Sequence, residues 1–237
     1  MLIGPQNLPE NIGFVRDRIS RAVTQCGRSV DSVTLIAVSK NQRATAIDAA
    51  ASVGLRHFGE SYLQEALDKM RDVSERDITW HFIGGLQANK TRPVAENFAW
   101  VHSVDRLRIA ERLSAQRPYH APPLNVCLQV NVGGELSKGG ASPADVPNLV
   151  ASIAKLERLK LRGLMCLPPS EDELDRQRYW FAQLRELFDS LNKDGAGLDT
   201  LSMGMSGDFE AAILEGATHV RVGTAIFGPR TNTMRSA

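Results

Sequence analysis

Apolar and β-branched residues gather in eight short runs along the chain: Val33–Ser39, Arg56–Gly59, Thr79–Gly84, Trp100–Val104, Leu124–Val132, Lys160–Leu167, Thr200–Met205 and His219–Phe227. Each run is followed by turn residues, so each predicts a strand. The intervening segments change period. Leu63, Ala66, Leu67, Met70 and Val73 recur at helical spacing after the second run, as do Phe181, Leu184, Leu187, Phe188 and Leu191 before the seventh. Thr91–Phe98 reads as a short helix with Pro93 in its first turn, where a missing N–H is tolerated. One more amphipathic helix precedes the first run, with Ile12, Val15, Ile19, Ala22, Val23 and Cys26 on one face and Gly27 as its stop.

Parallel strands need crossover helices, and eight of them close a sheet without leaving an edge. The pattern therefore predicts a single (β/α)8 barrel with an extra N-terminal helix. An open doubly wound sheet is the other arrangement with this alternation. No proline-rich or glycine/serine linker divides the chain. Residues 1–237 are read as one domain, with flexible tails at about 1–8 and 230–237.

Composition adds bounds rather than a function. With 237 residues and 43% hydrophobic content the chain can bury one large core. A net charge of +1 supplies no overall field for nucleic acid or an anionic membrane. Cys26, Cys127 and Cys166 are odd in number and widely spaced, which fits neither a zinc site nor a disulfide framework; the last two lie in strand runs where a thiol packs. The N-terminus lacks the pattern of a secretory signal, and no apolar run approaches the ~20 residues that span a bilayer. The expected setting is the reducing cytoplasm.

Candidate chemistry centres on Lys40. It closes the run Leu35-Ile36-Ala37-Val38-Ser39-Lys40 at the carboxyl end of the first strand, the end of a barrel where active groups sit. A lysine partly withdrawn from water there is a nucleophile toward an aldehyde, whereas the plain alternative is a solvated strand-end charge. The loops after strands seven and eight commonly hold phosphate in such barrels. Here they carry Ser206-Gly207 before the helix-like Phe209–Leu214, and Gly223-Thr224 after Arg221. Backbone N–H groups at a helix start favour an anion, though Ser206 or Asp208 can equally be a simple cap, and Asp208 repels phosphate unless it faces away. Arg221 reads either as a partner for a pyridine nitrogen or as half of a structural ion pair. His57 and His81 read as core groups or as members of a binding rim, and Gly133–Gly140 as a lid or a flexible connection. Glu60 and Glu135 have no evident paired carboxylate role.

These residues resemble the pyridoxal phosphate homeostasis proteins, a family related to alanine racemase. The resemblance runs along nearly the whole chain, through Ala37–Lys40, Phe58–Glu65, Trp80–Gly84 with Leu86-Gln87 and Asn89-Lys90, Arg162–Met165, Leu201–Ser206 with Asp208, and Arg221–Gly228. It implies a barrel like the N-terminal half of alanine racemase, with pyridoxal 5′-phosphate as a Schiff base on Lys40. It also implies phosphate contacts from Ser206, Gly223 and Thr224, and Arg221 near the pyridine nitrogen. Ser61 stands where asparagine is common in the family, and Gln42-Arg43 where a proline often follows the lysine.

Three functions compete. A racemase needs a second acid/base opposite the lysine. In alanine racemases a tyrosine from a separate β domain of a partner subunit supplies it, and Tyr62, Tyr119 and Tyr179 fall here on predicted helices or helix ends. A scaffold with a vestigial site would keep the barrel and leave the lysine unmodified. The expected function is the third, a carrier that shields pyridoxal phosphate in intracellular cofactor homeostasis and is not an enzyme. Its expected partners are pyridoxal phosphate and, transiently, enzymes that use it, with no nucleic acid, membrane or metal. The chain is taken as a monomer.

Overall fold

The computed structural model describes residues 7–135 and 139–229. Eight parallel strands form one closed barrel in sequence order: β1 (Thr34–Val38), β2 (His57–Glu60), β3 (Thr79–Phe82), β4 (Trp100–Val104), β5 (Leu124–Val130), β6 (Leu159–Cys166), β7 (Thr200–Ser202) and β8 (His219–Val222). The expected barrel is therefore the fold, and the open sheet is excluded because β1 pairs with both β2 and β8. The helices are α1 (Leu8–Gln25), α2 (Ala44–Ser52), α3 (Leu63–Asp72), α4 (Thr91–Asn97), α5 (Leu107–Gln116), α6 (Val146–Ile153), α7 (Leu174–Lys193), α8 (Phe209–Leu214) and α9 (Thr224–Phe227).

Each strand lies within one residue of an apolar run, but most runs overshoot their strand at the carboxyl end. The largest overshoot is at His219–Phe227. The strand stops at Val222, and Thr224–Phe227 forms the short helix α9 ended by Gly228 at φ 83°. A continuous apolar stretch carries no period that separates a strand from a buried turn of helix. At the other end, α1 opens at Leu8, inside the segment expected as a tail, with Pro9 in its first turn. The remaining tail residues, 1–6 and 230–237, lie outside the described residues.

Two layers of side chains result. Outward-facing strand residues such as Phe58, Val101 and Leu164 pack under the helices with Ile47, Leu113, Phe181 and Phe209, all fully buried. Inside the barrel the apolar set is smaller: Ile36 on β1, and a cluster of Trp100, Cys127 and Met165 with Ala99 and Leu167 against them. Helix α1 ties this shell to the loops at the barrel mouth. Asn11 Nδ2 donates to the carbonyl of Ile226 in α9 at 3.0 Å, and Arg18 pairs with Glu210 of α8 at 2.5 Å. Among the described residues no helix is long and apolar enough to cross a membrane.

Candidate functional site

Closure of β1 against β8 brings the sequence-predicted residues together at the carboxyl end of the barrel. Ala37 is in register with Val222, so the next residues along, Val38 and Gly223, are neighbours. A Cβ on Gly223 would stand 3.2 Å from the Val38 carbonyl oxygen and 3.3 Å from the Val38 Cβ, tighter than side chains normally pack. Lys40 lies two residues beyond the end of β1, in the alternation phase of Ile36 and Val38, and is partly buried.

The backbone under Lys40 is held from behind. Gln42 N–H closes a turn on the Ser39 carbonyl at 2.9 Å, and Lys69 Nζ donates to that same carbonyl at 2.6 Å. Lys69 also donates to Glu60 Oε1 at 2.8 Å and pairs with Glu65, while Ser39 Oγ donates to Glu60 Oε1 at 2.6 Å. Glu65 in turn accepts the N–H of Asn41, a left-handed residue at φ 63°. A lysine and a carboxylate buried together need each other, since either alone in a low-dielectric site is expensive. Burial nevertheless holds the Glu60 carboxyl above its ordinary range, with Lys69 and Ser39 pulling it back. Glu60 is thus paired with a lysine, a partner that the sequence reading did not name. The available signal was Lys69 itself, three residues from Ala66 on the buried face of α3.

The two anion-ready loops meet through Ser206, whose Oγ accepts the N–H of Ala225 at 3.3 Å. Asp208 occupies the cap position of α8, but its Oδ1 turns back to accept the Met205 N–H at 2.5 Å. Its carboxylate is engaged in its own turn, and burial raises its carboxyl above the usual range. Behind it, Gly204 sits at φ 94°, where a Cβ would meet Ala212 Cβ at 2.7 Å; glycine alone allows α8 to pack this close to the strand end. The N–H groups of Ser206, Gly207 and Thr224 have no acceptor among the described residues. The Ser206–Ala225 hydrogen bond joins the two turns that carry these donors, and unpaired backbone N–H groups at such turns favour an anion.

Arg221 points into the barrel and is 3% exposed. Nη1 donates to Ser202 O at 2.6 Å and Ser202 Oγ at 2.7 Å, and Nη2 donates to Cys166 O at 2.8 Å. None of these partners is a carboxylate, so the ion-pair reading of Arg221 does not hold. Three of its five N–H donors are used; Nε–H and one Nη2–H have no acceptor among the described residues. Ser202 also closes a column of imidazoles: His57 Nδ1 is 3.0 Å from His81 Nε2, His81 Nδ1 is 2.9 Å from His102 Nε2, and His102 Nδ1 is 2.8 Å from Ser202 Oγ. His57 and His81 are therefore core groups with partners. Ser202, His102 and His219 were not singled out in the sequence, although polar residues at alternate positions inside apolar strands were the available mark.

Tyr62 stands on the mouth side after all, at the start of α3 two residues beyond β2, and is 54% exposed. Of Gly133–Gly140, Leu136–Lys138 lie outside the described residues; the flanks are tied to β5 and its end by Gln129 Nε2 to Gly139 O and Asn131 Nδ2 to Glu135 O. Cys127 and Cys166 pack in the strands as expected, and burial pushes the Cys127 thiol up to about 12. Among the described residues no group of side chains could hold a metal ion.

Fold and site together define a (β/α)8 barrel whose loops after β7 and β8 hold three backbone N–H groups without an acceptor among the described residues. The family model described as alanine racemase, N-terminal domain, matches residues 15–231. Proteins named pyridoxal phosphate homeostasis protein are 56% identical over 223 residues in Pseudomonas aeruginosa (94% of this chain, 96% of that protein) and 51% identical over 227 residues in Escherichia coli K12 (94% and 97%). The chain belongs to the pyridoxal phosphate homeostasis protein family. Among solved structures, PipY of Synechococcus elongatus is similar in forms without and with PLP bound. These have TM-scores of 0.84 and 0.82 at 38% and 37% identity, covering 94% of this chain and all of PipY. An alanine racemase of Clostridium difficile shares the fold at 15% identity and TM-score 0.70, with 96% of this chain and 58% of that one covered.

Proposed function

We propose that this barrel binds pyridoxal 5′-phosphate at its carboxyl-end mouth and holds it for intracellular cofactor homeostasis. One observation supports the reading: β1–β8 closure sets Val38, two residues before Lys40, beside Gly223, and the N–H groups of Ser206, Gly207 and Thr224 in the loops after β7 and β8 have no acceptor among the described residues. The donor set fits the group. Ser206, Gly207, Gly223 and Thr224 take the phosphate, the two unused N–H groups of Arg221 are available to the pyridine nitrogen, and Lys40 supplies an amine. When bound, the cofactor would supply an aldehyde able to form an imine with that amine, with loss of one water. Donation from the Arg221 guanidinium, which is too weak an acid to give up its proton, would leave the ring nitrogen unprotonated and the ring a weak electron sink. Lys69, Glu60 and Ser39 fix the peptide from which Lys40 projects.

The carrier reading is preferred to a racemase. Relatives named for homeostasis are matched over 96–97% of their length, whereas the racemase is matched over 58%. The barrel acts as one unit, a monomer in the cytoplasm, and passes the cofactor to enzymes that use it. The test is to purify the protein under cofactor-replete conditions and record its visible absorbance, then repeat with Lys40→Ala. A chromophore in the wild type that the variant lacks is expected; a colourless wild type overturns the reading. Rapid exchange of the α-proton of any amino acid with solvent by the loaded protein would instead make it an enzyme.

A further inference from the structure

The imidazole column has a direction, and Arg221 sets it. A guanidinium only donates, so Ser202 Oγ accepts from Arg221 Nη1. The Ser202 hydroxyl is fully buried, and the acceptor for its own proton among the described residues is His102 Nδ1. His102 then carries its proton on Nε2 and donates to His81 Nδ1; His81 does the same toward His57 Nδ1. The reverse order would leave the Ser202 O–H buried without a partner, which is unfavourable. Burial, reinforced by neighbouring imidazoles, holds His81 and His102 well below the usual imidazole range, which keeps the column neutral.

We propose that this column is a positioning device for Arg221: the fixed run of Nε2–H donors from His102 to His57 holds Ser202 Oγ as an acceptor, and Ser202 holds the guanidinium with two N–H groups turned to the ligand. His102 is then a positioning residue that acts through Ser202 without touching the ligand. The role rests on the ligand proposed above, while the direction of the column does not. One feature of Arg221 makes the constraint necessary. Its partners are two carbonyls and a hydroxyl, with no carboxylate to fix the fork in a bidentate pair. A guanidinium held only by neutral acceptors keeps its orientation as long as each of them keeps its own.

Two measurements test this. Long-range proton–nitrogen correlation spectra of the unliganded protein at pH 7.5, with labelled histidine, are expected to show His57, His81 and His102 as neutral Nε2–H tautomers. A Nδ1–H or charged His102 overturns the directed column. Separately, affinities are measured for pyridoxal phosphate and for its 1-deaza analogue, in which C–H replaces the ring nitrogen. The wild type is expected to prefer the nitrogen ring by about tenfold, the scale of one hydrogen bond to a charged group. His102→Leu should lose most of that preference while binding the analogue as the wild type does, and His102→Gln, which can accept and donate in the same places, should restore part of it. Full preference in folded His102→Leu overturns the positioning role and leaves the ligand assignment standing. If His102→Leu does not fold, Ser202→Ala takes its place, with the same loss of preference expected and a mixed His102 tautomer in the spectra. A wild type that binds neither ring overturns the ligand assignment itself, while the tautomer spectra still report on the column.

Discussion

The outside and the inside of this barrel are built from different materials. Between strands and helices lies an apolar shell in which Phe58, Phe98, Phe181 and Phe209 are wholly buried. Inside lie imidazoles, a guanidinium and hydroxyls, with a small apolar set that includes Ile36, Trp100, Cys127 and Met165. Apolar burial is non-directional and scales with area, so the shell supplies stability and tolerates repacking. A buried polar group is stable only with its partner in place. The interior therefore gains less from burial and demands defined geometry, the property a binding site needs. Substitutions in the shell should change stability and leave ligand geometry alone, whereas those inside should disturb ligand geometry, and stability too wherever a buried partner is stranded.

The largest expected effect breaks the shell. Phe181→Ala should destabilise the protein by about 3–5 kcal/mol through lost transfer energy and a residual cavity, read as a lower urea midpoint. The folded fraction should still bind pyridoxal phosphate with wild-type affinity. Lys69→Met attacks the boundary between the two regions. It strands the buried Glu60 carboxylate and should also cost about 3–5 kcal/mol, most of it recovered in the double variant Lys69→Met/Glu60→Gln. A double variant no more stable than Lys69→Met would show that the charge was never the problem.

Acid should act on the interior selectively. Burial is the leading cause that lowers His57, His81, His102 and His219, the last to about 4. The unfolded chain takes up protons near 6.5 that the native state refuses. Stability is then complete above about pH 6.5, falls as pH drops from there toward the depressed native values and levels off below them, with a slope of up to about 1.4 kcal/mol per pH unit for each imidazole. Glu60 and Asp208, both raised by burial, act in the opposite sense. Urea unfolding at several pH values measures the slope, and a flat profile between pH 7 and 5 would contradict the neutral column. The smallest effect is expected at the surface: Arg71→Ala breaks an exposed pair with Asp68 and should shift stability by under about 0.5 kcal/mol.

The same contrast explains what the sequence made legible. Shell residues announce themselves by period, so eight strands and the face of α1 could be read directly from spacing. Lys40, Ser206, Gly223 and Thr224 could be placed at one mouth because position in a barrel strand fixes which end a residue occupies. Partnerships inside the barrel could not be read this way. Ser202 lies 100 residues from His102, its hydrogen-bond partner, and 19 from Arg221. Closure of the sheet, and no local pattern, brings them together. Lys69 was hidden for a related reason: its buried carboxylate belongs to β2, and only packing of α3 on the strands reveals the pair. The helix α9 was missed because Thr224–Phe227 prolongs an apolar run and Gly223 alone marks the break.

The central claim is that Lys40 carries the cofactor, and site-resolved chemistry tests it most directly. The protein is loaded with pyridoxal phosphate, reduced with borohydride, digested and analysed by mass spectrometry. The account predicts one phosphopyridoxyl group per chain, on the peptide containing Lys40. Labelling at Lys69 or at surface lysines instead, with Lys40 unmodified, would contradict it.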